Sequence, residues 1–251
     1  MLLTVISPIA EILGDPQEPS LISDNDSQLL YGEQFQLEQS HGTYVYGYGV
    51  LDNYKGYVER ALLVKNTPPS NALVKAKSTH LYPEPDFKSR PNMTISFLSR
   101  LTALDKQDNG FTALDDGHWV FTDHIAQEEG FSMPEDIAHT ATSFLGTPYV
   151  YGGRSSFGID CSGLVQICLL AHGNPCPPRD SKDQQGAFGT ESDKGNLTRN
   201  DIVYFRGHVG IMMDDRYIVN ATSRYMSTVI EDITTLKKTY GDILHVARLT
   251  A

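Results

Sequence analysis

The run Tyr149-Val150-Tyr151-Gly152-Gly153 is followed by Gly158-Ile159-Asp160-Cys161-Ser162-Gly163 and by the apolar segment Leu164 to Ala171. Glycines before a polar residue and an apolar run predict a turn into a helix, with Asp160 at the N-cap and Cys161 on the first turn. There the positive end of the helix dipole and unpaired backbone N–H groups favour a thiolate and can stabilise an oxyanion. The stretch therefore predicts a nucleophilic cysteine.

The composition is ordinary for a globular chain that contains more than one domain. Of 251 residues, 40% are hydrophobic and 20% are charged. The formal net charge of −11 argues against nucleic acid as a partner, because nucleic acid is bound by clustered Lys and Arg. A cationic or amine-bearing ligand fits this charge better.

The cysteine count and the first residues bear on location. Three cysteines are too few for a disulfide framework and favour a reducing compartment. The opening Met1 to Ile6 lacks a basic region and a small-residue cleavage pattern, and no apolar run approaches the about 18 residues of a membrane helix. We expect a cytoplasmic monomer without a membrane span, or a periplasmic or envelope protein if a leader was removed.

Breaks in the sequence pattern at proline and glycine residues divide the chain into three parts. Short apolar alternations at Tyr44 to Tyr48 and at Gly56 to Val58 predict strands in the first part. The break Thr67-Pro68-Pro69-Ser70 precedes a second strand-rich part, and Ile137 to Ala141 begins a third with helical spacing. The predicted domains are residues 1–66, 67–126 and 127–251.

Three consecutive strands are predicted in the last part, at Asp201 to Phe205, His208 to Met212 and Tyr217 to Ala221. With a loop centred on Asp214, His208 and Asn220 become direct cross-strand partners on one face. Opposed Cβ atoms lie about 5 Å apart, so Asn220 could fix the ring of His208 and its tautomer. Cysteine, histidine and an orienting polar group are the parts of a thiol acyl-transfer site.

These motifs together resemble the NlpC-type peptidases, papain-like enzymes of the bacterial cell wall. The resemblance covers residues from about 134 to 250 and follows the order Tyr-Val-Tyr-Gly-Gly, Asp-Cys-Ser-Gly-Leu-Val-Gln, Pro-Arg-Asp-Ser, Asn-Asp-Ile-Val-Tyr-Phe and His-Val-Gly-Ile. Several motifs in one order are far more specific than a single cysteine.

The upstream parts resemble the paired SH3-like barrels of family members that cleave γ-D-glutamyl-diamino acid bonds in peptidoglycan stem peptides. The segments Gln28 to Glu33 and Asp52 to Val58 carry this likeness. The resemblance implies an α+β chain in which two small β-barrels precede a papain-like domain of helices on an antiparallel sheet. It implies no cofactor and no metal.

The resemblance also implies a mechanism. Cys161 attacks the γ-D-glutamyl carbonyl carbon, His208 moves the proton, and water releases the acyl-enzyme. Asn220 would orient His208, although this position is commonly histidine in the family. Tyr149 matches the family tyrosine near the oxyanion.

The substrate implied by the resemblance is a stem peptide with a free N-terminal L-Ala. Asp160 matches the carboxylate that pairs with its amine, and Ser162 and Ser181 align with polar substrate contacts. Tyr54 resembles the side chain that closes the amine subsite, and Glu33 is a second candidate carboxylate from local context. Such a closed subsite predicts an exopeptidase-like preference.

Each of these residues also has a purely structural interpretation. Cys161 could be a small core hydrophobe, His208 and Asn220 ordinary strand residues, and Asp160 only a helix cap. Tyr54, Tyr149 and Ser162 could also be structural, and Glu33 is more often a solvated surface carboxylate.

Other classes of function remain open at this stage. Cys168, His172 and Cys176 suggest a metal site, but Gly173 and Pro175 break the helix, and a fourth ligand at recognisable spacing is lacking. One rival is a cell-wall-binding SH3-like protein with an inactive catalytic domain. Another is a papain-like acyltransferase or lipid hydrolase. Circularly permuted relatives of the papain fold act on acyl lipids, but in this chain the histidine follows the cysteine, as it does in the peptidases.

Overall fold

The structure is a computed structural model that describes residues 1–17 and 26–249. Its contacts divide the chain into two compact units, Met1–Phe131 and Ser132–Ala251. The described residues of the first unit form strands and two 3-10 turns, Arg60–Leu62 and Thr122–His124, whereas those of the second combine helices with a six-stranded sheet. The predicted α+β class is thus confirmed.

The first half of unit 1 is a small β-structure around its own core. Its strands are β1 (Leu2–Val5), β2 (Ile9–Ile12), β3 (Ser27–Leu30), β4 (Gln34–His41), β5 (Tyr44–Gly49), β6 (Lys55–Glu59) and β7 (Leu63–Val64). They form an antiparallel sheet in the order β6-β5-β4-β1-β7 and a β2-β3 hairpin, which a bridge from Leu13 to Tyr57 links to β6. Alternate residues of β5 are buried, as the period of a strand with one buried face requires.

The second half of unit 1 repeats this style. Its strands are β8 (Ala72–Val74), β9 (Ser78–Tyr82), β10 (Met93–Ser96), β11 (Arg100–Leu101), β12 (Ala103–Asp108), β13 (Phe111–Leu114), β14 (Trp119–Phe121) and β15 (Ile125–Gln127). They form sheets in the orders β10-β9-β14-β13-β12 and β11-β8-β15. Val74, Leu81, Ile95 and Val120 are fully buried between them. Two small β-structures in succession fit the SH3-like barrels that the resemblance implies.

The α-helices of the described residues lie in unit 2. They are α1 (Ile137–Thr142), α2 (Cys161–Ala171), α3 (Ser181–Gln184) and α4 (Ile233–Tyr240). Every residue of α2 except Leu170 is buried, so α2 is a core helix that is covered on nearly all sides. None of the helices in the described part of the chain is long and apolar enough to span a membrane.

The six-stranded sheet of unit 2 contains the predicted meander. The strands of this unit are β16 (Arg154–Ser155), β17 (Gly158–Ile159), β18 (Thr190–Glu191), β19 (Ile202–Phe205), β20 (His208–Met212), β21 (Tyr217–Thr222), β22 (Ser227–Asp232) and β23 (His245–Arg248). The antiparallel order is β18-β23-β19-β20-β21-β22, and β16 pairs with β17. Val203, Met212 and Ile218 of this sheet share a core with Ile233 and Leu236 of α4.

The predicted domain ends lie near element ends. β7 ends at Val64 and β8 begins at Ala72, on either side of the predicted 66/67 boundary. β15 extends to Gln127, one residue beyond the second predicted boundary, because Gln127 still pairs with Ala72. The division into three domains stays a prediction.

Candidate active site

Cys161 is the first residue of α2, as the sequence predicts. Asp160 precedes it in an extended conformation, and its side chain accepts a hydrogen bond from the Gly163 N–H at 2.7 Å. This bond satisfies one of the unpaired N–H groups at the helix start. The cap therefore fixes where the helix begins and where the thiol lies.

The glycines of the motif are required by close packing of backbone. A Cβ on Gly163 would lie 2.2 Å from the carbonyl oxygen of Gly153, and one on Gly153 would lie 2.6 Å from that of Gly158. These distances are far below van der Waals contact. The first turn of α2 thus packs directly on the backbone of the preceding loop, which only glycine permits at these two positions.

The thiol of Cys161 lies in a buried setting between α2 and β20. Burial, followed by the charge of Asp160, raises its pKa to about 12. The backbone N–H groups of Val209 and Ser162 and the charge of Arg179 act in the opposite direction. At neutral pH the resting group is therefore a thiol, although the helix position alone would favour a thiolate.

His208 begins β20 and is hydrogen-bonded to Asn220 on β21. Its Nε2 lies 2.9 Å from Asn220 Oδ1, and the two side chains are 4% and 0% exposed. Burial lowers the pKa of His208 to about 4, against smaller opposing contributions from the Asn220 bond and from Glu231. The ring is therefore neutral at neutral pH, the state in which it can accept a proton.

The register behind this contact differs from the predicted one. Ile211 pairs with Val219 and Met212 with Ile218, so the hairpin is centred on Asp215 and not on Asp214. The same register places Asn220 opposite Gly210, which makes His208 and Asn220 diagonal neighbours on one face. The prediction of directly opposed residues was wrong, but the predicted contact exists because diagonal neighbours also come within reach of long side chains.

Asp160 and Ser162 belong to a buried network around Arg179. The guanidinium donates to Asp160 Oδ2 at 2.6 Å, to Asp160 Oδ1 at 3.1 Å and to Ser162 Oγ at 2.8 Å. Asp160 Oδ2 also accepts from the Gly152 N–H at 2.9 Å. A substrate amine would compete with Arg179 for the same oxygens. The structure thus shows a capping and ion-pairing role for Asp160, while the substrate roles of Asp160 and Ser162 stay predictions.

Tyr149 and Ser181 are the other two predicted site residues of unit 2 around Cys161. Burial raises the pKa of Tyr149 above its usual range, and the charges of Cys161 and Asp160 act in the same direction, which indicates that its hydroxyl lies near both. Tyr149 therefore keeps its proton and can act as a hydrogen-bond donor. Ser181 is the first residue of α3 and is half-buried. Their predicted roles at the oxyanion and the substrate stay predictions.

The two residues predicted from the first β-structure have local roles within unit 1. Glu33 is 2% exposed, and its Oε2 accepts from the Leu30 N–H at 3.1 Å. The interpretation of Glu33 as a solvated surface carboxylate was therefore wrong. Tyr54 is half-buried against the core of the first β-structure. Their predicted place at the amine subsite stays a prediction.

Three residues near the site were not identified from the sequence. Arg179 forms the ion pair with Asp160, Glu231 accepts from Asn220, and the ring of Tyr240 stacks on His208. The motif Pro-Arg-Asp-Ser contains Arg179, which was a usable signal. Glu231 and Tyr240 carry no local signal, since only the folded hairpin and α4 bring them to the histidine.

The three cysteines and His172, which the sequence does not favour as metal ligands, have the following surroundings. Cys161 and Cys168 are buried and Cys176 is half-buried, and no disulfide joins any two of them. His172 Nε2 lies 2.9 Å from Thr140 Oγ1, so its ring is hydrogen-bonded to a hydroxyl. Within residues 1–17 and 26–249, no group of three His, Cys, Asp or Glu side chains could hold a metal ion.

Taken together, unit 2 places a thiol on a helix N-terminus, an oriented neutral imidazole and backbone N–H donors within one small region. The thiol can supply the nucleophile, the imidazole can carry the proton, and the N–H groups can stabilise an oxyanion. The arrangement is suited to acyl transfer from an amide.

Comparison with known families and proteins agrees with this chemistry. The NlpC/P60 family matches residues 146–243. A dipeptidyl-peptidase 6 from Lysinibacillus sphaericus is 25% identical over 229 residues, which cover 82% of this chain and 83% of that protein. A γ-D-glutamyl-L-lysine dipeptidyl-peptidase from Bacillus subtilis is 27% identical over 203 residues, which cover 74% of this chain and 66% of that protein.

Solved structures show the same fold. An NlpC/P60 family protein from Bacillus cereus superposes with a TM-score of 0.85 at 20% identity, with 100% of each chain covered. An NlpC/P60 endopeptidase from Photobacterium damselae has a TM-score of 0.64 at 14% identity, which covers 97% of this chain and 70% of that one. At these identities the likeness is one of fold.

Proposed function

We propose that the chain, whose residues 146–243 match the NlpC/P60 family, is a cysteine peptidase that removes an N-terminal dipeptide from peptidoglycan stem peptides. The bond cleaved is the amide between the γ-carboxyl of D-Glu and the diamino acid. The substrate carries a free N-terminal L-Ala. The observation that carries the proposal is the oriented pair of His208 and Asn220 together with a cysteine on a helix N-terminus, whose sulfur accepts a hydrogen bond from the backbone N–H of Val209, the residue after His208.

Acylation begins from a neutral pair. Because the pKa of Cys161 is raised and that of His208 is lowered, the thiol proton moves to His208 Nδ1 as the sulfur attacks the γ-carbonyl carbon. The carbonyl electrons move to oxygen, where the N–H groups at the start of α2 and the Tyr149 hydroxyl stabilise the charge. The tetrahedral intermediate collapses, the C–N bond breaks, and His208 gives its proton to the leaving amine.

Deacylation uses the same groups in reverse. Water takes the place of the released diamino acid and His208 accepts a proton from it as it attacks the thioester carbon. The C–S bond then breaks and His208 returns the proton to the sulfur. The products are L-Ala-γ-D-Glu and the remainder of the stem peptide.

The names of the relatives and the charge of the chain support the choice of substrate. The two relatives described above are named dipeptidyl-peptidases, and one of them is named for the γ-D-glutamyl-L-lysine bond. A net charge of −11 favours an ammonium group over a further anion. We keep Asp160, Ser162, Ser181, Tyr54 and Glu33 as proposed substrate-binding residues.

A free L-Ala amine exists only after the stem peptide has been cut from the glycan. The enzyme would then act on released fragments, downstream of an amidase-type reaction. This order of reactions fits recycling of peptide fragments, and a cytoplasmic place of action is part of the proposal.

The test is mass spectrometry of L-Ala-γ-D-Glu-L-Lys and L-Ala-γ-D-Glu-diaminopimelate, each with a free and an acetylated N-terminus. Wild-type protein is compared with Cys161→Ala and with Cys176→Ala, which changes a half-buried cysteine that is not part of the proposed site. We expect L-Ala-γ-D-Glu only from free-amine peptides, with wild type and Cys176→Ala. Cleavage of the acetylated peptides as well would disprove the amine requirement, and no cleavage of any peptide would favour the cell-wall-binding or acyl-lipid alternatives.

A further inference from the structure

The carboxylate of Glu231 is hydrogen-bonded to Asn220, the orienting residue of the proposed catalytic pair His208 and Asn220. Asn220 donates its Nδ2 to Glu231 Oε2 at 3.2 Å, while its Oδ1 lies 2.9 Å from His208 Nε2. Glu231 on β22 forms an ion pair with Arg224 in the turn between β21 and β22. His208, Asn220 and Glu231 are each at most 9% exposed, so their mutual contacts are largely shielded from water.

The order of donors and acceptors in this chain of contacts follows from the charge of Glu231. An ionised carboxylate can only accept, so Asn220 must turn its NH₂ toward Glu231 and its carbonyl toward His208. In the opposite orientation, Asn220 Oδ1 would face Glu231 Oε2, two acceptors with no proton between them. The carbonyl in turn can only accept, which requires the proton of the neutral imidazole to be on Nε2.

This tautomer is the one that the proposed reaction needs. With the proton on His208 Nε2, the lone pair is on Nδ1 and can take the thiol proton of Cys161. If Asn220 presented its NH₂ to Nε2 instead, the neutral ring would carry its proton on Nδ1 and could not act as a base there. Without a further partner, Asn220 could present either its carbonyl oxygen or its NH₂ group to His208 Nε2.

We infer that Glu231 is a positioning residue that selects the catalytic tautomer of His208 through Asn220, and that Arg224 holds Glu231 and balances its charge. The inference rests on the proposed role of His208 as the base. It assigns to the β21–β22 hairpin a function in catalysis that no motif of the sequence indicates.

The charges around His208 predict how its pKa changes when Glu231 or Arg224 is replaced. Glu231 raises the pKa of His208 and Arg224 lowers it, so removal of each should move the pKa in opposite directions. The other groups that face the ring are Asp160 at the start of α2, which also raises its pKa, and Tyr240 of α4, which covers one face. Asp160 and Tyr240 are unchanged when Glu231 or Arg224 is replaced.

The experiment is ¹⁵N NMR of the full chain labelled at histidine, with kcat and KM for the free-amine tripeptide measured on the same samples. The ring nitrogen shifts of His208 report its tautomer, and their titration reports its pKa. The variants are Glu231→Gln and Arg224→Gln. The matched control is Asp232→Asn, which changes a neighbouring carboxylate that pairs with Arg216 and leaves a residue able to cap α4.

We expect the Nε2–H tautomer in wild type and in Asp232→Asn. Glu231→Gln should show both tautomers and a lower pKa of His208, with kcat reduced about tenfold and KM unchanged, the size expected for one lost charge-assisted hydrogen bond. Arg224→Gln should keep the Nε2–H tautomer and raise the pKa. A general loss of packing would not produce shifts of opposite sign.

A single Nε2–H tautomer with an unchanged pKa in Glu231→Gln would overturn the inference. If Glu231→Gln does not fold, Arg224→Gln provides the test, because the Arg224 guanidinium is partly exposed and can be replaced with less disturbance. An unchanged or lowered pKa of His208 in Arg224→Gln would also overturn the inference. The NMR readout does not need turnover. An inactive wild type with the expected tautomers would therefore refute the proposed function and leave the positioning of His208 by Glu231 intact.

Discussion

The ring of Tyr240 stacks on the ring of His208, with centroids 4.2 Å apart and planes inclined by 15°. Tyr240 is the last residue of α4, and its hydroxyl lies 3.1 Å from Thr222 Oγ1 at the end of β21. The stack covers one face of the imidazole while Asn220 holds its edge. Together they keep the ring in one orientation and away from water, which favours its neutral form.

Replacement of Tyr240 by Ala should raise the pKa of His208 from about 4 toward its ordinary value of 6.5. Water would reach the uncovered face and make the imidazolium less costly. We expect the acid limb of the kcat/KM profile to move to higher pH by the same amount. Tyr240→Phe is the matched control, since it keeps the stack and loses only the hydroxyl. Equal profiles for the two variants would show that the stack does not control this pKa.

His208 should also make the stability of the protein depend on pH. Its pKa is lowered from 6.5 to about 4 in the folded state, so the unfolded state binds more protons between these values. Stability is therefore fully present above pH 6.5 and decreases as the pH falls to 4, by about 3 kcal/mol for a shift of this size.

Urea unfolding of wild type, His208→Gln and His172→Gln across that interval measures this contribution. His172 is the matched control, because burial also lowers its pKa but it lies outside the site and bonds to Thr140. His208→Gln should lose most of the decrease in unfolding free energy, whereas His172→Gln should keep it. The same decrease in unfolding free energy in all three proteins would show that groups other than His208 cause it.

The elements of the site could be predicted because their signals are local. Asp160 lies next to the helix that it caps, and the glycines that permit the turn are within ten residues of Cys161. The short apolar run after His208 likewise predicts a strand from neighbouring residues alone. These features follow from backbone sterics and from the need to satisfy N–H groups at a helix start.

The partners of these residues could not be predicted in the same way. Arg179 is 19 residues from Asp160, and Glu231 is 11 residues from Asn220, so each pair forms only when the chain has folded. The hairpin register depends on the turn, where Asp214 Oδ1 accepts from the N–H groups of Arg216 and Tyr217 and shifts the centre by one residue. A side-chain pattern with a period of two does not distinguish these registers.

Asp160→Asn should destabilise the protein because its carboxylate is the charge partner of buried Arg179. The Arg179 side chain is 2% exposed, and removal of one member of a buried ion pair typically costs about 3 to 5 kcal/mol. Thermal unfolding should shift far more than for Asp183→Asn, which changes an exposed carboxylate on α3.

The same variant separates the two roles of Asp160. If it only caps and pairs, the ratio of free-amine to acetylated peptide cleavage should be preserved in the folded fraction. A selective loss of free-amine cleavage with unchanged unfolding would instead identify Asp160 as the amine partner.

Gly163→Ala tests whether close backbone packing places the nucleophile. Alanine normally stabilises a helix by about 1 kcal/mol relative to glycine, so an increase in stability is the expectation from propensity alone. Here the added Cβ would lie 2.2 Å from the Gly153 carbonyl oxygen, which cannot move without shifting the loop. Overpacking of this kind costs about 1 to 3 kcal/mol, which exceeds the gain.

We therefore expect Gly163→Ala to lower the melting temperature and to reduce kcat, because the start of α2 and the thiol of Cys161 must move away from Gly153. Gly195→Ala is the matched control, since a Cβ there would meet only Asp193 Oδ1 at 3.4 Å. Differential scanning calorimetry and peptide hydrolysis measure both effects. A Gly163→Ala protein as stable and as active as Gly195→Ala would show that the helix start can relax without consequence, and that the contact with Gly153 does not position the thiol.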